Sequence, residues 1–327
     1  MRAWPLVLLP IFAACGDRTG LLAPAPDTIA DCPDRARPWL LFDLVEETAK
    51  GFPSRIYAMR VDGSQGHFLD LPHGPGYFPS VSPDGTKLLY ATYSFPDGGA
   101  PGSSGLYLYD LVSHTASLVV TTSDLTYSAL SPDGQTVAYV SDFSLRAIDA
   151  DGTNDRELIH GPNGDGFGYG HPEFTSDPHI VLYVTEGAIG TIGIDGTPGQ
   201  TLLTTIPGSL QYPNAAYSPD YGQLVVGTAC SQSSPDAIRI YPLSSLPGAS
   251  CDSGQILVGA EPGSTSNLGN DPSWGPTGLI AYDSGPDVFL VPTAGGAPTN
   301  VTASLTGDSG TITASDPVWA PGCASLP

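Results

Sequence analysis

Apolar residues along this chain come in runs of about five, shorter than a typical helix and bounded by Gly, Pro, Asp and Asn. Thr136 to Val140 (TVAYV) and Ile180 to Val184 (IVLYV) are of this kind, as a pleated strand packed against neighbours would be. The segments preceding such runs are small and tight, as in Pro79-Ser80-Val81-Ser82, and Ser-Pro-Asp-Gly joins the two. In that tetrapeptide Pro83 fixes φ, Asp84 offers an acceptor to backbone N–H and Gly85 supplies a φ > 0 position, so a hairpin is predicted. A third strand then runs into another Gly turn: Ile56 to Val61 before Asp62-Gly63, Leu145 to Ala150 before Asp151-Gly152, Ile189 to Ile194 before Asp195-Gly196. A fourth strand, such as Thr201 to Thr205, closes a unit of four antiparallel strands.

The unit recurs. YFPSVSPDGTKLLYAT begins at Tyr77, TYSALSPDGQTVAYVS at Thr126, GHPEFTSDPHIVLYVT at Gly170, QYPNAAYSPDYGQLVVGT at Gln211, NDPSWGPTGLIAYDS at Asn270, and a truncated SDPVWAPG at Ser315. Aligned on Ser82, Ser131, Thr175, Ser218, Gly275 and Ala320, they are spaced 49, 44, 43, 57 and 45 residues apart, which predicts propeller blades. The last repeat stops after its first strand, whereas Trp39 to Leu44, Arg55 to Val61 and His67 to Leu71 form three strands with no innermost strand before them. Joined, they make one blade. The expected fold is therefore all-β: a six-bladed β-propeller of four-stranded blades, closed by the C-terminal strand Asp316 to Ala320 joining the N-terminal blade.

These residues resemble the PD40 (WD40-like) repeat of the TolB-like propeller family, in which an apolar or aromatic residue, Ser-Pro-Asp-Gly, a β-rich strand and a strand ending near Asp-Gly follow one another. The resemblance covers roughly 39–327. Two repeats carry the full motif, Ser218 to Asp220 carries Ser-Pro-Asp with Tyr221 inserted before Gly222, and the others are degraded. It implies recognition of a protein or peptide at the channel mouth.

Composition narrows the partners. The formal charge is −22, with 11 Lys and Arg against 33 Asp and Glu, which disfavours nucleic acid and anionic membrane surfaces. Gly (40) and Pro (33) fit a chain rich in turns, and a hydrophobic share of 40% is enough for a core. Residues 1–14 read as an export signal: Arg2, an apolar run too short to span a bilayer, then Ala13-Ala14 before Cys15. Phe12-Ala13-Ala14-Cys15 resembles a bacterial lipoprotein box with Cys15 as the lipidated residue; an ordinary signal peptide cut near Ala14 is the alternative. Residues 15–38 read as the lipidated Cys and a flexible tether, and 39–327 as the propeller. A periplasmic or surface lipoprotein, monomeric and touching membrane only through its lipid, is expected.

Four cysteines remain in an oxidising setting. The closure places Cys32 and Cys323 side by side, so a Cys32–Cys323 disulfide is expected. Cys230 with Cys251 is the remaining pair, provided the 243–254 insertion folds back; two unpaired thiols are the alternative.

In a propeller, the loops entering the innermost strands surround one mouth of the axial channel. Four residues before each anchor stand Phe78, Tyr127, His171, Asn214, Asp271 and Asp316, the candidate partner-binding ring. Asp271 and Asp316, with Asn214, have the oxygen chemistry to bind Ca²⁺ or Mg²⁺, or to hydrogen-bond a peptide or sugar; the alternative is that they only cap turns. The Gly-rich loop 160–170 lacks GK[ST], so it is no phosphate cradle, but it offers Asp165 to the mouth. Gly307-Asp308-Ser309-Gly310 matches a serine-protease string without the accompanying His motif, and only His160 and His171 are placed to converge. A binding or scaffold module of the cell envelope is thus expected, with no catalytic residue assigned. The alternative is a metal-dependent propeller lyase or hydrolase acting on a saccharide or peptide, with its metal held at the mouth by Asp271 and Asp316; separately, the same two residues are candidates for the paired carboxylates of glycoside cleavage, a separation that spacing alone does not fix.

Overall fold

The computed structural model describes residues 37–47, 53–94, 103–123, 125–160, 170–185, 187–204, 214–228, 237–259, 271–307, 311–322, 324 and 326–327. Twenty-four strands form six four-stranded antiparallel sheets around a common axis. Blade 1 is ordered β24 (Ile312–Ala320), β1 (Trp39–Glu46), β2 (Ser54–Arg60), β3 (His67–Phe68) from axis to rim. The others run in chain order: β4 (Tyr77–Val81) to β7 (Thr115–Thr122), β8 (Leu125–Leu130) to β11 (Arg156–His160), and β12 (Glu173–Phe174) to β15 (Pro198–Thr204). Blades 5 and 6 follow as β16 (Asn214–Tyr217) to β19 (Gln255–Gly259) and β20 (Ser273–Trp274) to β23 (Thr299–Asn300). The architecture is the expected one, with the last strand completing the first blade.

The core lies between blades. Six clusters of buried side chains fill the six interfaces, because second and third strands bury both faces. In β1, Leu41 packs with Leu88 and Tyr90 of blade 2, while Leu40 and Phe42 pack with Ala281 and Leu290 of blade 6. The remaining interfaces repeat this, from Leu89 against Val137 to Val225 against Ile280. Burial on both faces is why these strands read as unbroken apolar runs. Each buried Leu, Ile or Phe contributes about 1.5–3 kcal/mol, so the interfaces, not the rim strands, carry the fold.

The Ser-Pro-Asp turns are built alike. Ser82 Oγ donates to Asp84 Oδ1 (2.6 Å), Thr86 N donates to the same oxygen (3.0 Å), and Lys87 N donates back to Ser82 Oγ (2.9 Å). Ser131 with Asp133 and Ser218 with Asp220 repeat the 2.6 Å bond. Tyr221 is not an insertion, as the sequence suggested; it occupies the place of Gly85 and Gly134 with φ +55°, and the turn keeps its length.

Closure is a long pairing. β24 runs antiparallel to β1 from Trp39↔Ala320 to Glu46↔Ile312. The register slips by one residue between Leu41 and Asp43, a bulge that falls opposite Asp316-Pro317. Blade 5 departs from the repeat through 243–254, which makes two 3-10 turns and lays Leu243, Leu246 and Ala249 against the core between blades 4 and 5. That insertion accounts for the long 57-residue spacing.

Candidate axial binding site

The ring position is made by backbone geometry. In blade 2 the register of β4 on β5 (Lys87–Ser94) slips between Tyr77 and Ser80, so Phe78 sits in a bulge with φ +49°. Asp316 takes the same role in blade 1, with φ +54°. Both precede proline, and a left-handed non-glycine residue at a bulge is a device for re-aiming a side chain. The bulge sets Phe78 and Asp316 out of the regular alternation of their strands.

All six predicted ring residues come together. Phe78 and Tyr127 meet edge to face at 5.1 Å between ring centroids, and Tyr127 lies 3.6 Å from the His171 ring. His171 N donates to Asn214 Oδ1 (3.1 Å), and Asn214 Nδ2 donates to Asp271 Oδ1. His171 Nε2 faces Asp316 Oδ1 at 3.2 Å and Asp271 Oδ1 at 3.4 Å. The ligand atoms of these last three residues lie within 4.8 Å of one another. Asn214 uses both ends of its amide on His171 and Asp271, so it positions those groups and is not itself a ligand.

Two carboxylates joined the ring unforeseen. Asp43 of β1 accepts from Phe78 N through Oδ2 (2.9 Å), while its Oδ1 is buried with no hydrogen-bond partner. Asp283 of β21 (Leu279–Ser284) accepts from Asp271 N at 3.3 Å. Both follow the aromatic of a second strand, Phe42 or Tyr282, where the other blades have Ala91, Val140, Val184 and Gly227. A carboxylate at an otherwise small, apolar position was the readable signal. Glu173, the residue after Pro172, is a half-buried acid that accepts from Tyr217 N at 2.7 Å.

The electrostatics follow from this crowding. Burial, then the Asp316 charge, push Asp43 well above the usual carboxylate range against the pull of the Phe78 N–H. Burial, then Asp283 and Asp316, do the same to Asp271 against the Asn214 amide. Glu173 is raised to about 8 by burial. Tyr127 is held well above its ordinary value by burial and then by Asp316, Asp271, Asp283 and Asp43. The described ion pairs of Asp271 and Asp316 are to His171, not to lysine or arginine.

Other expectations resolve differently. His160 ends rim strand β11 on Ser144 (2.9 Å) and Glu157 (3.5 Å), so it does not converge with His171. Asp271 and Asp316 are close enough to hydrogen-bond through their side chains, nearer than the about 5 Å a pair of glycosidase carboxylates needs. Asp165, the lipidation residue Cys15 and the cysteines Cys32, Cys230 and Cys323 lie outside the described residues, as do residues 308–310. Cys251 is buried in the second 3-10 turn and is disulfide-bonded rather than a free thiol.

No family model matches the chain, and no curated protein matches it in sequence. Solved structures do match. TolB from Acinetobacter baumannii is similar with a TM-score of 0.65 at 17% identity, covering 87% of this chain and 67% of TolB. In fold, the chain is similar to the propeller of TolB. A chain of the nidogen/laminin complex aligns at TM-score 0.60 and 13% identity, over 86% of this chain and 98% of that one. Hydrazine synthase from Kuenenia stuttgartiensis aligns at 0.60 and 12%, over 89% of this chain and 47% of the other. At these identities the likeness is one of fold, and the TolB-like propeller must be read for function from its own axial residues.

Proposed function

We propose that this TolB-like propeller is a binding module of the bacterial cell envelope that engages a protein or peptide at its axial mouth, through a positively charged group of that partner. One observation carries the reading: Asp271 and Asp316 converge on one point with His171, their described ion pairs include no lysine or arginine, and beside them Asp43 Oδ1 is buried without a hydrogen bond. A carboxylate cluster of this kind is stabilised by an incoming cation. Phe78 and Tyr127 on the opposite arc give the partner an aromatic wall, suited to a lysine or arginine side chain. Among similar folds, a chain of the nidogen/laminin complex is a propeller taken in complex with a protein.

Export and lipid anchoring belong to the same proposal, supported by residues 1–15 and by the net charge of −22. Among the described residues no helix is long and apolar enough to cross a membrane. The Cys230–Cys251 and Cys32–Cys323 pairings are also proposed. Mass spectrometry of the mature protein tests these points; a first residue other than diacylglyceryl Cys15, or a different linkage, overturns the respective one.

The mouth itself is tested by a photo-reactive phenylalanine at Tyr127, compared with one at Val112, an exposed residue beyond blade 2's third strand. Cross-linking in intact cells should give a discrete polypeptide adduct from position 127 that is lost in Asp271→Asn/Asp316→Asn. Adducts that are the same from both positions would refute a partner at the mouth.

A further inference from the structure

The same cluster has metal-site geometry. Two ligand atoms each about 2.1 Å from a transition-metal ion stand roughly 3.0–3.4 Å apart in octahedral or tetrahedral coordination. His171 Nε2 stands 3.2 Å from Asp316 Oδ1 and 3.4 Å from Asp271 Oδ1, so these atoms already have the right span. Independently, Asp43 Oδ1 is an orphan acceptor: the residue is 2% exposed and this oxygen has no hydrogen-bond partner. Asp43 feels the charge of Asp316, so the orphan oxygen lies beside the three-residue group, not within it.

The supporting contacts are those of a held ligand set. Ser315 Oγ engages Asp316 Oδ2 (2.8 Å) and leaves Oδ1 towards His171. Phe78 N engages Asp43 Oδ2 and leaves Oδ1. Asn214 anchors Asp271, and Tyr127 lies against the His171 ring. Hydrogen bonds that orient first the ligand and then its free lone pair are what tune metal sites. The side chain of His171 is 24% exposed, against 12% and 9% for Asp271 and Asp316, so an ion would enter past the imidazole.

We infer that the axial mouth is a site for one divalent transition-metal ion of the Zn²⁺ or Mn²⁺ class, bound by His171 Nε2, Asp271 Oδ1 and Asp316 Oδ1, with the Asp43 carboxylate adding negative charge beside it. The imidazole decides the class. An all-oxygen set suits Ca²⁺ or Mg²⁺, whereas a nitrogen donor favours zinc, iron and their neighbours. The sequence-based expectation of Ca²⁺ or Mg²⁺ rested on Asp271, Asp316 and Asn214; the structure puts His171 where Asn214 was assigned. The inference shares its residues with the binding reading above, and makes the metal a competitor for the partner's cationic group.

The test uses the metal alone. Full-length protein stripped with chelator is titrated with Zn²⁺, Mn²⁺ and Ca²⁺ by calorimetry, with bound metal counted by elemental analysis and folding checked by circular dichroism. One equivalent of Zn²⁺ or Mn²⁺ is expected, at least about 10-fold tighter than Ca²⁺. The near-isosteric Asp271→Asn/Asp316→Asn should weaken it at least about 100-fold, and His171→Gln should weaken Zn²⁺ more than Ca²⁺. Absence of binding by the folded wild type, or Ca²⁺ binding as tightly as Zn²⁺ and Mn²⁺, overturns the inference. Cross-linking from Tyr127 in chelator still reads the partner, so each proposal fails separately.

Discussion

At the scale of single residues, the molecule keeps side chains that its own stability does not favour. Asp43 sits in an otherwise apolar strand beside Asp316, with one oxygen unpartnered. Asp43→Asn removes the like charge and is expected to stabilise the metal-free protein by about 1 kcal/mol, read as a higher urea midpoint, while weakening any cation at the mouth. Asn214→Ala should do the reverse to stability, lowering it by about 1–2 kcal/mol, because the His171 N–H and the Asp271 carboxylate both lose their partner. The two signs together separate a functional group from a structural one. The six ring residues were legible because each lies at a fixed offset from a repeated turn. Asp43 and Asp283 were not, since an acid in the second strand becomes meaningful only when the bulge of the innermost strand is known to bring a neighbour's backbone N–H to it.

Elements carry the repeat, and the turn is the part of the element that sequence describes best. Gly134→Ala, at φ +70° with open surroundings, should cost about 1 kcal/mol from backbone strain alone. Gly85→Ala, at φ +68°, should cost distinctly more, because the new Cβ would lie 2.5 Å from Pro321 Cγ just past β24. Thermal unfolding of the two variants measures how firmly blade 1 seats on blade 2. The aspartates of these hairpins also set the acid limit. Burial opposes ionisation of Asp84, but the donors from Ser82 and Thr86 and the Lys87 charge prevail, so its pKa lies below the ordinary carboxylate value. Asp110 falls to about 2 through the Ser113 N–H, against burial, with Val112 N–H and Lys87 assisting. Depressed folded pKa values mean that this stability is present above about pH 4 and is lost as pH falls towards 2. Denaturant midpoints measured across that range should fall, and fall less in Asp84→Asn. Tyr221 shows where turn chemistry misleads: glycine is the expected occupant of the left-handed position, and a tyrosine there has the sequence signature of an insertion.

For the whole molecule, blade number and closure were readable because six anchors recur and three orphan strands need a fourth. Bulge geometry and the packing of 243–254 were not, since both depend on contacts between blades distant in sequence. A chain ending at residue 311 would lack β24, exposing the β1 edge and the core of two interfaces. It should lose cooperative thermal unfolding, whereas removing residues 324–327 should lower the midpoint by only a few degrees. The closing strand does more than complete a sheet. His171, Asp271 and Asp316 belong to blades 4, 6 and 1 and are all made after the midpoint of the chain, whereas the strand that β24 joins is made near its start. A polypeptide released early or clipped before its final strand therefore lacks Asp316 and is defective at the axis. The axial cluster is complete only once the last strand has joined the first blade, so the geometry of the mouth reports whether the ring has closed.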